Sequence, residues 1–149
     1  MQAGFDSPFG RLVLTEEAGA ITRLRWGEEA AGAGSPLLAE AGAQLAAYFA
    51  GRLTRFDLPL ALGDGFRGRF LQALCDIPFG ETRRYGELAG VLGVSAQAIG
   101  QACGANPIPV IVPCHRVLGA AGLGGFSAPG GVETKVALLR LEGAAGLLI

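Results

Sequence analysis

An α+β fold is predicted by three features of this 149-residue chain. Apolar and polar residues alternate near the N-terminus. Apolar residues recur at helical spacing after residue 62. Glycine and proline punctuate both patterns at short intervals. The expected arrangement is a small N-terminal β-sheet unit with one helix, residues 1–62, followed by a mostly helical domain, residues 63–149. Half of the residues are hydrophobic and 17% are charged, which excludes a disordered chain and allows a real core.

The elements follow in order. Leu12, Leu14, Ile21, Leu24 and Trp26 are the apolar members of an alternating run from Gly10 to Trp26. With a turn around Glu16 to Gly19, the run predicts a β-hairpin. Gly27 to Gly34 is a small-residue loop. Ser35 then caps a helix with Pro36 at its first position. Leu38, Ala41, Leu45, Tyr48 and Phe49 line that helix, and Gly51 stops it. A third strand is expected over Thr54 to Leu60, and Pro59 to Gly65 is a linker. Phe66, Phe70, Leu71 and Leu74 form one face of the next helix, which Pro78-Phe79-Gly80 ends. Tyr85 to Leu92 is a short helix closed by Gly93, and Ser95 caps another over Ala96 to about Ala105. Two short helices around a tight glycine turn make a helix-turn-helix. Pro107 to Val112, apolar and β-branched, is expected to be extended and buried. A glycine-rich loop over Gly119 to Gly131 leads to a last helix, about Val132 to Glu142, with Gly143 as its stop.

The chemistry concentrates at Pro113-Cys114-His115-Arg116. A thiol attacks as thiolate and needs a base or a positive charge beside it to ionise at neutral pH. The single histidine of the chain adjoins Cys114. On an extended strand, neighbouring side chains point to opposite faces, so the pair acts together only if the backbone turns there or a water bridges them. Glu142, Glu133 and Glu87 are the carboxylates that could orient the imidazole. A Cys-His pair alone is equally the composition of plain core. Cys75, Cys103 and Cys114 have no metal-ligand spacing, so no metal is expected, and free thiols point to a reducing cytosol; no other cofactor is expected either. No transmembrane helix is expected, and the N-terminus lacks the pattern of a signal peptide.

The stretch from Ile77 to Gly143 resembles the catalytic domain of the O6-alkylguanine-DNA alkyltransferases. The segments that carry the likeness are IPFGETRRYGELA, QACGANPIPVIVPCHRV with its NPIPVIVPCHR motif, GGFS, and the closing ALLRLEG. SPFGRLVLTEEAGAITRLRW is similar, more weakly, to the family's small N-terminal domain. The resemblance implies a winged helix-turn-helix-like catalytic domain that binds double-stranded DNA, extrudes O6-alkylguanine and takes the alkyl group irreversibly onto Cys114. His115 would be the base through a water and Glu142 would orient it, while Asn106 would support the turn. Tyr85 would donate to the guanine ring and help swing the nucleotide out. The carbonyls of Cys114 and Val117 would receive the exocyclic amine, Ser127 would approach O6, and Lys135 would approach the leaving base. The protein would act once, as a monomer in the cytosol.

The chain departs from the family where an arginine usually fills the gap left by the flipped base; Gln97 stands there. Ala96 and its small neighbours leave that helix bare enough for close approach to a minor groove, or for tight packing in a core. Arg67, Arg69, Arg83, Arg84 and Arg116 are the cations that could meet phosphate, with Arg116 alternatively pairing internally. They offset Glu16, Glu17, Glu28, Glu29 and Glu40 of the N-terminal half, so the net charge of −1 hides an asymmetry. Phe126 stands where the family often has tyrosine. Three other functions compete: a sensor that binds the alkylated base without transfer, a Cys-His hydrolase and a helix-turn-helix regulator. The presence of Cys114 argues against the first, and the apolar AQAIGQACGA helix against the last.

Overall fold

The computed structural model describes residues 1–28, 34–119 and 130–144. The chain divides into two compact units, Met1–Ala61 and Leu62–Ile149.

The first unit is a three-stranded antiparallel sheet with one helix. Strands β1 (Gln2–Ser7), β2 (Gly10–Glu17) and β3 (Ala20–Trp26) lie in that order. Ala18 and Gly19 join β2 to β3 with φ of 51° and 80°; two positive φ values give the turn whose twist matches the strands. Helix α1 (Pro36–Phe49) packs on β1 and β2. The Ser35 hydroxyl accepts from the Leu38 N–H at 3.1 Å, as expected of an N-cap, and donates to the Glu16 carboxylate. Leu12, Leu14, Ile21, Leu24, Leu38, Ala41, Leu45 and Tyr48 form the core.

One expectation for this unit needs correction. The sheet's third strand is β1, not Thr54 to Leu60. Pro59 has no N–H to give a ladder, and the segment makes a single parallel bridge, Ile21 with Leu60. Part of its backbone is instead satisfied by a side chain of α1: Gln44 accepts from the Asp57 N–H at 2.9 Å and donates to the Asp57 carbonyl at 3.1 Å.

In the second unit, α2 (Gly65–Cys75) leads through Ile77–Gly80 to β4 (Arg83–Arg84), α3 (Tyr85–Leu92) and α4 (Ala96–Gly104). Phe70, Leu71 and Leu74 are buried, whereas Phe66 stays exposed and stacks on Phe70. Gly93 turns between α3 and α4 with φ 70°, and Ser95 caps α4 by accepting from the Ala98 N–H at 3.1 Å. Glu87 caps α3 by accepting from the Arg84 N–H at 3.0 Å. A 3₁₀ turn (Cys114–Arg116) and the short strand β5 (Val117–Leu118) follow, and α5 (Val132–Leu141) closes the unit. β5 pairs in parallel with β4.

Pro107 to Val112 is buried as expected but not extended. Ile111 donates to the Pro109 carbonyl, Val112 to Ile108 and Cys114 to Val112, and Val110 has φ 74°. The Asn106 side chain imposes this: its carbonyl accepts from the Ile108 N–H at 3.0 Å and its amide donates to the Val112 carbonyl at 2.9 Å. A side chain that supplies both kinds of partner replaces a strand ladder with a knot of turns. Its consequence is that the chain reaches Cys114 already coiling.

Gly68, inside α2, faces backbone: a Cβ there would run into the Gly63 carbonyl. Alanine is the better helix former by about 1 kcal/mol, but backbone cannot swing aside, and overpacking costs about 1–3 kcal/mol. Gly68→Ala is therefore expected to lower stability by about 1–2 kcal/mol in urea unfolding; equal or higher stability would contradict this packing.

Candidate active site

The 3₁₀ turn solves the problem of adjacent residues. It brings Cys114, His115 and Arg116 together, all buried, with α5 packed against them. Glu142, just past the end of α5, is the carboxylate that meets them. The other two candidates are used elsewhere: Glu87 caps α3 and Glu133 sits in the first turn of α5.

His115 Nε2 lies 2.7 Å from Glu142 Oε2, with both side chains fully buried. Arg116 grips the same carboxylate with a fork, Nε to Oε1 at 2.8 Å and Nη2 to Oε2 at 3.0 Å. Its Nη1 donates to the Ile77 carbonyl at 2.6 Å, and its guanidinium lies 5.9 Å from the centre of the Phe79 ring. Burial alone would raise the Glu142 carboxyl, but the His115 and Arg116 hydrogen bonds outweigh it and hold the group at about 2. Glu142 is thus an anion at neutral pH, and it accepts from Nε2–H. The basic nitrogen of the ring is then Nδ1.

Burial pushes the His115 imidazole below its ordinary value of 6.5, against the pull of Glu142, so the ring rests neutral at pH 7. Burial likewise pushes the Cys114 thiol up, opposed by a hydrogen bond from Asn106 and by the charge of Lys135. At rest the pair is therefore a thiol and a neutral imidazole. Burial raises the Cys75 thiol to about 11, with Asp76 adding to it, and the Cys103 thiol to about 12, so both are uncharged at neutral pH.

Lys135, fully buried, donates to the Val117 carbonyl at 2.7 Å and lies 6.0 Å from the centre of the Tyr85 ring. That carbonyl has a second lone pair. Burial, then the nearby Cys103 and Cys114, raise the Tyr85 phenol, so it remains a donor. Gln97 and Ala96 are exposed on the first turn of α4. Arg84 is exposed and donates to the Gly119 carbonyl at 2.9 Å, and Arg83 is half-buried beside Glu81. Arg116 is the correction to the expected cation set: it is 7% exposed and bound to Glu142, so it is no phosphate contact. Ser127 and Phe126 lie outside the described residues.

Sequence reasoning missed the Ile77 carbonyl and Phe79 as supports of Arg116. Their segment carries only the signal of a helix stop, and a backbone carbonyl leaves no compositional trace. The cleft that runs between α2 and α3, lined in part by Asp64, Arg69, Gln72 and Asp76, holds none of the expected reacting residues. Among the described residues no cluster of metal-ligating side chains occurs, and no helix is long and apolar enough to cross a membrane.

Glu142 ties stability to pH. Its folded value lies near 2, below its ordinary 4.5, so its contribution is complete above pH 4.5 and is lost as pH falls toward 2. Glu142→Gln is expected to flatten the decline of unfolding free energy across that window, measured by urea titration at several pH values. An unchanged slope would mean that the carboxylate is not held as described.

The chain is similar to known proteins over most of its length. Residues 65–144 match the 6-O-methylguanine DNA methyltransferase, DNA binding domain, and residues 2–62 match its ribonuclease-like domain. A methylated-DNA–protein-cysteine methyltransferase of Mycobacterium bovis is 47% identical over 148 residues, covering 92% of this chain and 88% of that one. The constitutive enzyme of that name from Bacillus subtilis is 40% identical over 152 residues, covering 92% of both. A crystal structure of Mycobacterium tuberculosis OGT in complex with DNA superposes with a TM-score of 0.82 at 46% identity, over 95% of this chain and 91% of that one. With both domains matched and these identities across nine-tenths of its length, the chain belongs to the methylated-DNA–protein-cysteine methyltransferase family.

Proposed function

We propose that this protein repairs DNA by transferring the alkyl group of O6-alkylguanine, methyl above all, to the sulfur of Cys114. The observation that carries the reading is the buried His115–Glu142 contact, 2.7 Å, at the residue that follows the buried Cys114 in one tight turn.

The thiol proton passes through a water to His115 Nδ1, and Glu142 stabilises the imidazolium that forms. The sulfur attacks the alkyl carbon in line; the S–C bond forms as the C–O6 bond breaks, and the electron pair leaves with guanine. Charge develops on the leaving base, so donors aimed at it act most strongly in the transition state. Tyr85, Ser127 and Lys135 are those donors, and the carbonyls of Cys114 and Val117 take the exocyclic amine. Asn106 holds the turn that carries Cys114. The product thioether is stable, so each molecule acts once.

The target carbon is inaccessible in a stacked duplex, so the nucleotide must rotate out. The exposed start of α4, with Ala96 and Gln97, enters the minor groove, where Gln97 fills the vacated stack. Arg83 and Arg84, ahead of Tyr85, meet phosphate. Without the positive charge of an arginine at position 97, duplex affinity is weaker and less salt-dependent. The protein works as a monomer in the cytosol.

Intact-mass measurement after incubation with duplex DNA containing O6-methylguanine tests the reading. The expected result is a gain of one methylene per molecule, absent in Cys114→Ser. DNA binding with unchanged mass would make the protein a sensor, and repeated turnover of a fluorogenic ester would make it a hydrolase; either would overturn the proposal.

A further inference from the structure

We infer that Arg116 is a positioning residue for this transfer, acting on the thiol only through Glu142 and His115: it fixes how the carboxylate is turned and how tightly the imidazole holds a proton. The inference rests on the reading of Cys114 and His115 given above.

The geometry is specific. Glu142 Oε2 is shared, 2.7 Å from His115 Nε2 and 3.0 Å from Arg116 Nη2, while Oε1 takes Arg116 Nε at 2.8 Å. A planar fork on both oxygens fixes the carboxylate plane, which a point charge could not do. The fork is itself anchored, by Nη1 on the Ile77 carbonyl and by Phe79 beneath the guanidinium. Gly80 completes this clasp: a Cβ there would lie 3.3 Å from the Glu142 carbonyl oxygen. Ile77, His115, Arg116 and Glu142 are buried, and Phe79 and Gly80 are half-buried at the edge of the group.

Sharing Oε2 has an electrostatic consequence. Each donor to that oxygen weakens its hold on the other. Three groups act on His115: Glu142 favours its charged form, and Arg116 and Lys135 oppose it. Behind Arg116 stand Cys75 and Asp76 at the end of α2; Cys75, raised to about 11, is uncharged at neutral pH. Loss of the guanidinium charge therefore leaves the carboxylate to the imidazole alone. The ring then holds its proton to higher pH.

The single histidine makes this measurable. The His115 titration is followed by NMR in the full-length protein, in Arg116→Met and in Arg116→Lys, beside the pH dependence of methyl transfer to O6-methylguanine DNA. In Arg116→Met the His115 midpoint and the acid limb of transfer are expected to rise together by roughly one unit or more. Arg116→Lys keeps the charge but not the fork, so it is expected to restore the midpoint while transfer at the plateau remains low. A Met variant with an unmoved midpoint, or a Lys variant shifted as far as Met, overturns the inference, since a merely structural arginine would lower the folded fraction without moving the titration. Should Arg116→Met not fold, Arg116→Gln carries the same expectation. Failure of the unmodified protein to transfer would refute the functional reading, and the titrations would still decide the role of Arg116.

Discussion

A carboxylate with no access to water organises the second half of this molecule. Glu142 sits fully buried, and an ion in such a place is tolerated only when its charge and lone pairs are met. Arg116 meets the charge and His115 takes the remaining direction on Oε2. Because Arg116 and His115 are consecutive, a single anion pins the turn that also carries Cys114. The end of α5, the 3₁₀ turn and the segment after α2 are thereby locked to one another through side chains, where no backbone ladder joins them. The same contact decides the chemistry, since it commits Nε2 and leaves Nδ1 as the base.

Cys114 is supported by Asn106. The Asn106 side chain bonds the Ile108 N–H and the Val112 carbonyl at the two ends of the coiled segment, and it bonds the thiol as well. Lys135 adds a buried positive charge that favours the thiolate, and its hydrogen bond holds Val117 in β5. These groups do not ionise the resting cysteine, whose burial dominates. They lower the cost of ionising it at the moment the proton leaves, which suits a group that is consumed in a single reaction.

Much of this was legible in the residues. Ser35, Pro36, Gly93 and Ser95 announce helix ends because capping and positive φ are local requirements, and the structure uses each as expected. The Cys114-His115 pair was legible as chemistry, although three carboxylates remained possible partners until α5 was placed. What was illegible depends on contacts distant in sequence. Gln2 to Ser7 carries too few apolar residues to declare a strand, and becomes one because β2 offers it an edge. Pro107 to Val112 has the composition of a strand, yet Asn106 folds it into turns. β4 and β5 are two residues each, too short for any periodicity. Arg116 was open between phosphate and an internal partner, because only the fold shows that Glu142 lies within reach.

The central claim is that Glu142 fixes His115 as an Nε2–H imidazole, with Nδ1 the atom proposed to take the thiol proton. Nitrogen-15 NMR of the ring at pH 7 tests it most directly, and the lone histidine leaves no ambiguity of assignment. The account predicts a neutral ring protonated on Nε2. A ring protonated on Nδ1, or on both nitrogens, would contradict it.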